Sequence, residues 1–123
     1  MADPTGPFRR EDRLLRSSQF SRVGRDGKRV ASPAFVLLVA GREGEVAGAP
    51  QRLGITVSRR VGGAVVRNGV KRRVREWFRG CRPWLRPGID VVVIGRSAAA
   101  GLSGRETRGI LCRLARQANA TRG

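Results

Sequence analysis

The sequence has no histidine, only two cysteines and only nine acidic residues, and each shortage removes a kind of chemistry. A protein nuclease needs either carboxylates clustered around a metal or a general base, most often histidine. Here the acids are scattered, among them Glu11, Asp12, Asp26, Glu43, Glu45, Glu76, Asp90 and Glu106. Asp90, at the start of an apolar segment, is the one that merits inspection, with a cap or salt bridge as its ordinary reading. Cys81 and Cys112 lack CxxC spacing and have no histidine to complete a zinc site, so they read as free thiols in a reducing cytosol. No apolar run approaches the roughly 20 residues needed to span a bilayer. The first eight residues, MADPTGPF, lack the apolar region of a secretory signal and read as a loose tail.

What is present is positive charge. Lysine and arginine total 26, giving a net charge of +17 and a pI near 12.0, and Lys28 and Lys71 are the only lysines. Such an excess strains a compact state by self-repulsion unless a polyanion neutralises it. Nucleic acid is the polyanion that fits, because arginine grips phosphate through a bidentate fork and stacks on bases. An acidic membrane would call for an amphipathic helix with no packed domain around it, whereas the apolar segments here read as core. The 123 residues suit a single domain that buries its own core.

Along the chain, Ser17 or Ser18 can cap a short helix with Phe20 and Val23 on one face, stopped at Gly27. Residues 29–40 hold one or two strands. AFVLLVA, 34–40, is apolar throughout, as a strand buried on both faces would be, and Pro33 precedes it where a missing N–H is tolerated. Residues 41–51 read as a mobile Gly-rich loop. In RLGITVS, 52–58, Leu53, Ile55 and Val57 point one way, and Arg52, Gly54, Thr56 and Ser58 point the other. That second face is small and polar, open to something other than core. IDVVVIG, 89–95, is a further apolar strand. Ser103 can cap a last helix running to about Ala118 with Ile110, Leu111 and Leu114 inward, and 119–123 should fray. A strand–helix–strand unit within a mixed sheet makes the class α+β or α/β.

Residues 64–79 carry the most information. At about 100° per residue, Val66, Val70, Val74 and Trp77 form one stripe with Phe78 at its border. Arg67, Asn68, Lys71, Arg72, Arg75 and Arg79 form an adjoining arc. Solvated helices usually mix signs, since like charges four apart repel. Here Arg67, Lys71, Arg75 and Arg79 stand in that relation, which makes sense if phosphates lie against them. Before the helix, Arg59 and Arg60 are followed by Val61-Gly62-Gly63, where glycines admit a close ligand and helix N–H groups can receive a phosphate.

The segment from Arg52 to Glu76, RLGITVSRRVGGAVVRNGVKRRVRE, resembles the signature of the bacterial ribonuclease P protein subunit family. That signature is a strand ending in Ser and two basic residues, then Val-Gly, then Ala-Val-x-Arg-Asn-Arg-x-Lys-Arg. The likeness extends to RLLRSSQF near the start and GIDVVVIGR before the last helix, covering roughly residues 13 to 116. It implies an α+β sandwich of order αβββαβα, ribosomal protein S5 domain 2-like. The basic helix would lie in a left-handed crossover between parallel strands, the exception to the right-handed rule. The domain would span 13–118 between tails at 1–12 and 119–123.

The resemblance further implies a cytoplasmic, monomeric, non-catalytic subunit of an endoribonuclease. The catalytic RNA, using magnesium ions, would remove the 5′ leader of precursor tRNA, and the protein itself would bind no cofactor. By position, Arg59, Arg60, Arg67, Asn68, Lys71, Arg72 and Arg75 would contact the catalytic RNA. Phe20, Val36, Leu38, Thr56 and Ser58 would line the leader cleft. Three positions depart from the family. Its second motif arginine is Gly69 here, so one phosphate contact is either missing or supplied by Arg72 or Arg73. Gly24 and Leu38 stand where the family places cleft aromatics, so leader stacking would be reduced and would rest more on Phe20 and arginine planes. A basic ribosomal or nucleoid protein would share every bulk feature, and only the motif separates it.

Overall fold

A computed structural model of the chain describes residues 17–42 and 50–122. The tail expected over 1–12 and most of the loop expected over 41–51 lie outside the described residues. The elements are α1 (Ser17–Asp26), β1 (Lys28–Ala31), β2 (Phe35–Gly41), β3 (Arg52–Val57), α2 (Ala64–Cys81), β4 (Ile89–Gly95) and α3 (Gly104–Gln117). One sheet runs in the order β1-β2-β4-β3, antiparallel except for the parallel pair β3 and β4. Chain neighbours β3 and β4 are therefore joined by a crossover that contains α2.

The two central strands are apolar along their length because both faces are covered. On one face Phe35, Leu37 and Val39 of β2, Leu53 and Val57 of β3, and Val91 and Val93 of β4 form the main core with α2 and α3. On the other, Ala40 and Val92 meet Val23 of α1, with half-buried Phe20, Leu38 and Ile94 beside them. The alternation read in 52–58 holds: Leu53 and Val57 are core, and Thr56 is exposed on the α1 side.

Local chemistry fixes the joints. Gly27 ends α1 by donating to the Val23 carbonyl at 2.8 Å, and a Cβ there would stand 2.3 Å from that oxygen and 2.8 Å from Val39 O. Ser32 turns β1 into β2: Phe35 N–H donates to Ser32 Oγ at 3.0 Å, and Ser32 N–H to Phe35 O at 2.8 Å. Ser103 caps α3 in a capping box with Glu106, each backbone N–H donating to the other's side chain at 3.0 Å. The serine N–H and hydroxyl that bond Glu106 favour its ionised form and lower its pKa.

Two expectations are corrected. Residues 119–122 do not fray: Ala120 is fully buried, Thr121 bridges Leu85, and Arg122 N–H donates to Trp84 O at 2.8 Å. The main-chain groups there find partners in the α2–β4 connection, which a reading of polarity alone does not supply. On α2 the buried stripe is Val70, Val74, Trp77, Phe78 and Cys81, while Val66 is exposed. Val66 lies in the first turn, beyond the reach of the sheet, and packs over Gly62 instead. A Cβ on Gly62 would stand 2.9 Å from Val66, and its φ of +156° is one that glycine alone adopts freely.

Candidate nucleic-acid interface

Two surfaces flank edge strand β3. The first is α2 with the turn that leads into it. Ser58, Arg59 and Arg60 are exposed on a short 3₁₀ turn pinned by buried Val61. Gly63 precedes α2 and supplies no side-chain cap to its first turn. Along the helix, Asn68, Arg72 and Arg79 are exposed, and Lys71 and Arg75 are half-buried at the base of the same ridge. Among the described residues, no acid pairs with Arg59, Arg60, Arg67, Lys71, Arg72 or Arg75.

Arg67 sits deeper than the arc predicted. It lies on the buried stripe, near the start of the helix, half-buried, with its Nε enclosed and without an acceptor. At 100° per residue it falls between Val74 and Phe78, so its stem packs while its head reaches the ridge. In the sequence Arg73 stands only as a candidate replacement for the arginine missing at Gly69. Its Nη1 lies 3.3 Å from where a Gly69 Cβ would be, so its guanidinium covers the space that glycine leaves.

The second surface is the α1 side of the sheet. Strand pairing sets its rows: Ala31, Val36, Ile94 and Thr56 form one, and Arg29, Leu38, Val92 and Gly54 the next. Phe20 and Leu38 belong to one apolar cluster with Ile94, half-buried, and Thr56 is exposed beside them. Val36 exposes only 3% of its surface, so it forms the floor and not the wall. Ser58 lies past the strand end, in the turn toward α2. Ile94 and Arg29 were not anticipated. IDVVVIG reads as uniformly apolar, so nothing in it says which residues face α1, and Arg29 becomes a neighbour of Leu38 only through register. Beside Gly24 on α1 nothing lies within 4 Å of a Cβ position, which leaves the cleft open there.

One end of this cleft is closed by Asp90, fully buried among three arginines. Arg52 donates to both of its oxygens at 2.8 Å, Arg42 to Oδ1 at 2.7 Å and Arg22 of α1 to Oδ2 at 2.5 Å. Burial alone would raise the carboxyl's pKa, but the hydrogen bonds from Arg52, Arg42 and Arg22 and the charge of Arg52 outweigh it and hold it below the ordinary aspartate value. The acid singled out in the sequence is thus a structural ion-pair centre. Cys81 is buried and its thiol is pushed up to about 12 by burial and by Cys112 nearby, which suits an inert thiol. Among the described residues, no three His, Cys, Asp or Glu side chains converge, and no helix is long and apolar enough to cross a membrane.

Comparison with known proteins fits this geometry. The family model for ribonuclease P matches residues 8–119. The ribonuclease P protein component of Shouchella clausii is 42% identical over 104 residues, 85% of this chain and 83% of that one. That of Gluconacetobacter diazotrophicus is 39% identical over 110 residues, 89% and 92% of the two chains. Among solved structures, a ribonuclease P protein of Staphylococcus aureus superposes with a TM-score of 0.81 at 28% identity, covering 90% of this chain and 98% of that one. That of Thermotoga maritima gives 0.72 at 32% identity, covering 85% and 96%. The family match over nearly the whole chain, the identity of these relatives and the agreement of fold together show that the chain belongs to the ribonuclease P protein family.

Proposed function

We propose that this chain is the RNA-binding protein subunit of a ribonucleoprotein that removes the 5′ leader of precursor tRNA, with the chemistry and its magnesium ions on the RNA subunit. The observation that carries this reading is the α2 ridge, a line of arginine and lysine that no acid among the described residues neutralises. Arg59, Arg60, Arg67, Asn68, Lys71, Arg72 and Arg75 bind phosphates of the catalytic RNA. The cleft of Phe20, Leu38, Ile94 and Thr56 over Val36 receives the single-stranded leader by stacking and apolar contact. The subunit works as a cytoplasmic monomer within the holoenzyme, and its own acids do no chemistry. The commitment of buried Asp90 to three arginines supports that assignment. The ribosomal or nucleoid alternative is not favoured, since it does not account for the family match.

The test is reconstitution. Purified protein alone should leave precursor tRNA intact. Added to a bacterial ribonuclease P RNA at low magnesium, it should raise cleavage efficiency, because the basic surface replaces part of the metal's neutralisation of phosphate. Cleavage by rigorously RNA-free protein would falsify the division of labour.

A further inference from the structure

A cavity of about 410 Å³ opens between α2 and α3, on the side of the sheet opposite the α1 cleft. Its lining includes Arg73, Glu76 and Trp77 of α2, Trp84 from the turn after it, and Arg105 and Arg108 from the first turns of α3. That size lies in the range of roughly 300–1,000 Å³ typical of small-ligand sites. Three arginines against one glutamate give its lining a net positive charge, which suits an anion. Trp84 is 70% exposed, an unusual position for an indole that serves no core. Its backbone is nonetheless rigidly held: it ends the 3₁₀ turn Arg82–Trp84, its carbonyl accepts from Arg122, and the neighbouring Leu85 bridges Thr121. Trp77, 3% exposed, adds a buried indole N–H with no acceptor. An exposed aromatic face on a hydrogen-bonded turn beside arginines matches what an unpaired nucleotide needs: a surface to stack on and cations for its phosphate.

Resting on the RNA-subunit reading above, we propose that this α2–α3 cavity is a second RNA site. It captures one unpaired nucleotide of the catalytic RNA, stacked on Trp84 with its phosphates held by Arg105 and Arg108. Continuity with the ridge selects the catalytic RNA over the substrate. Around α2 the order runs from Arg75 and Asn68 through Arg79 and Arg72 to Glu76, Gly80 and Arg73, so RNA lying on the ridge reaches the cavity without leaving the helix. The leader cleft lies across the sheet.

The experiment measures the dissociation constant of the full chain for a transcribed bacterial ribonuclease P RNA over a series of salt concentrations. Trp84→Ala should weaken binding about tenfold with the salt slope unchanged, because stacking releases no counterions. Trp84→Phe should retain most of the affinity. Arg105→Ala with Arg108→Ala should flatten the slope by about one to two. Thermal unfolding should be unmoved in all three, which separates lost contact from lost fold. Parental affinity in both the Trp84→Ala and the Arg105/Arg108 variants, with affinity lost in Lys71→Ala/Arg72→Ala, would overturn the second site and leave the ridge standing. Parental affinity in every variant would overturn both. A loss confined to precursor tRNA binding by the isolated protein would assign the cavity to the wrong RNA and overturn the proposal too.

Discussion

Arg22, on the second turn of α1, reaches across to Asp90 at the start of β4, so the helix that walls the cleft is tied to the sheet it faces by one buried carboxylate. The tie does more than orient two side chains. With the packing of Val23 on Ala40 and Val92, it holds α1 against the face of the sheet that carries the rows of Leu38 and Ile94.

Asp90→Asn should destabilise the domain by roughly 3 kcal/mol, because three arginines lose the charge they surround. Arg22→Ala should cost less, about 1 kcal/mol, since that side chain is partly exposed and Arg42 and Arg52 keep the carboxylate paired. The pKa of Asp90 is depressed in the folded state, so its contribution is complete above the unfolded-state value near ~4 and is lost as pH falls through the folded one. The gap between parental and Asp90→Asn urea midpoints should therefore be full at pH 6 and shrink toward pH 3. A gap constant across that range would show that packing, and not charge, is what Asp90 supplies.

On α2, Lys71→Ala with Arg72→Ala should weaken binding to the catalytic RNA and lower the slope of log K against log salt by about 0.7–0.9 per lost phosphate contact. The fold should stay intact. Arg67→Ala is a less clean test than its place in the motif suggests, since its stem is packed against the core margin. Val70→Asp should unfold the domain, because Val70 is 1% exposed in an apolar cluster and a carboxylate there has no partner. Circular dichroism and a salt titration together decide it: intact RNA binding by Val70→Asp would mean the helix is faced wrongly.

Arg73 and Gly69 should behave as one unit. Arg73→Ala should weaken binding to the catalytic RNA, and Gly69→Arg on that background should restore part of it, since an arginine one helical turn away returns a guanidinium to the same face of α2. Gly69→Arg alone should also raise helix stability by about 0.8 kcal/mol, as Gly is a poor helix former and only the movable end of Arg73 stands in the way. Failure of the double variant to recover affinity would remove Arg73 from the role of replacement.

In the cleft, Leu38→Tyr should increase the preference for precursor over mature tRNA by at least fivefold, taking ~1–3 kcal/mol per stacked base. Leu38 is half-buried at the cleft surface, and the free space beside Gly24 leaves room for a ring. Phe20→Ala should reduce the same preference, but it also removes part of the Val23–Val92 cluster and should cost about 2 kcal/mol of stability. The readout is the ratio of the two dissociation constants with the catalytic RNA present and calcium in place of magnesium. A ratio unmoved by either substitution would take the leader out of this cleft.

The sequence by itself determined the element order, the outward ridge of α2 and the inward set Leu53, Val57, Leu111 and Leu114, because each rests on local periodicity that packing had no reason to override. The capping box of Ser103 and Glu106 was half legible in the same way: the serine cap could be read, and its glutamate partner completes it at short range. The tertiary structure decided what depends on residues distant in the chain. β4 reads as a uniform apolar run, so only its register against β2 and β3 shows that Ile94 joins the cleft while Val91 and Val93 go to the core. Asp90 is an isolated acid in sequence, and the arginines that surround it come from three other segments. Arg67 is the reverse case: the helical period already places it between Val74 and Phe78, and only its charge grouped it with the outer arc. The α2–α3 cavity, too, exists only once residues about 30 apart are folded against each other, with Trp84 held in place by main-chain bonds to a C-terminal segment whose polar composition had suggested it would be loose.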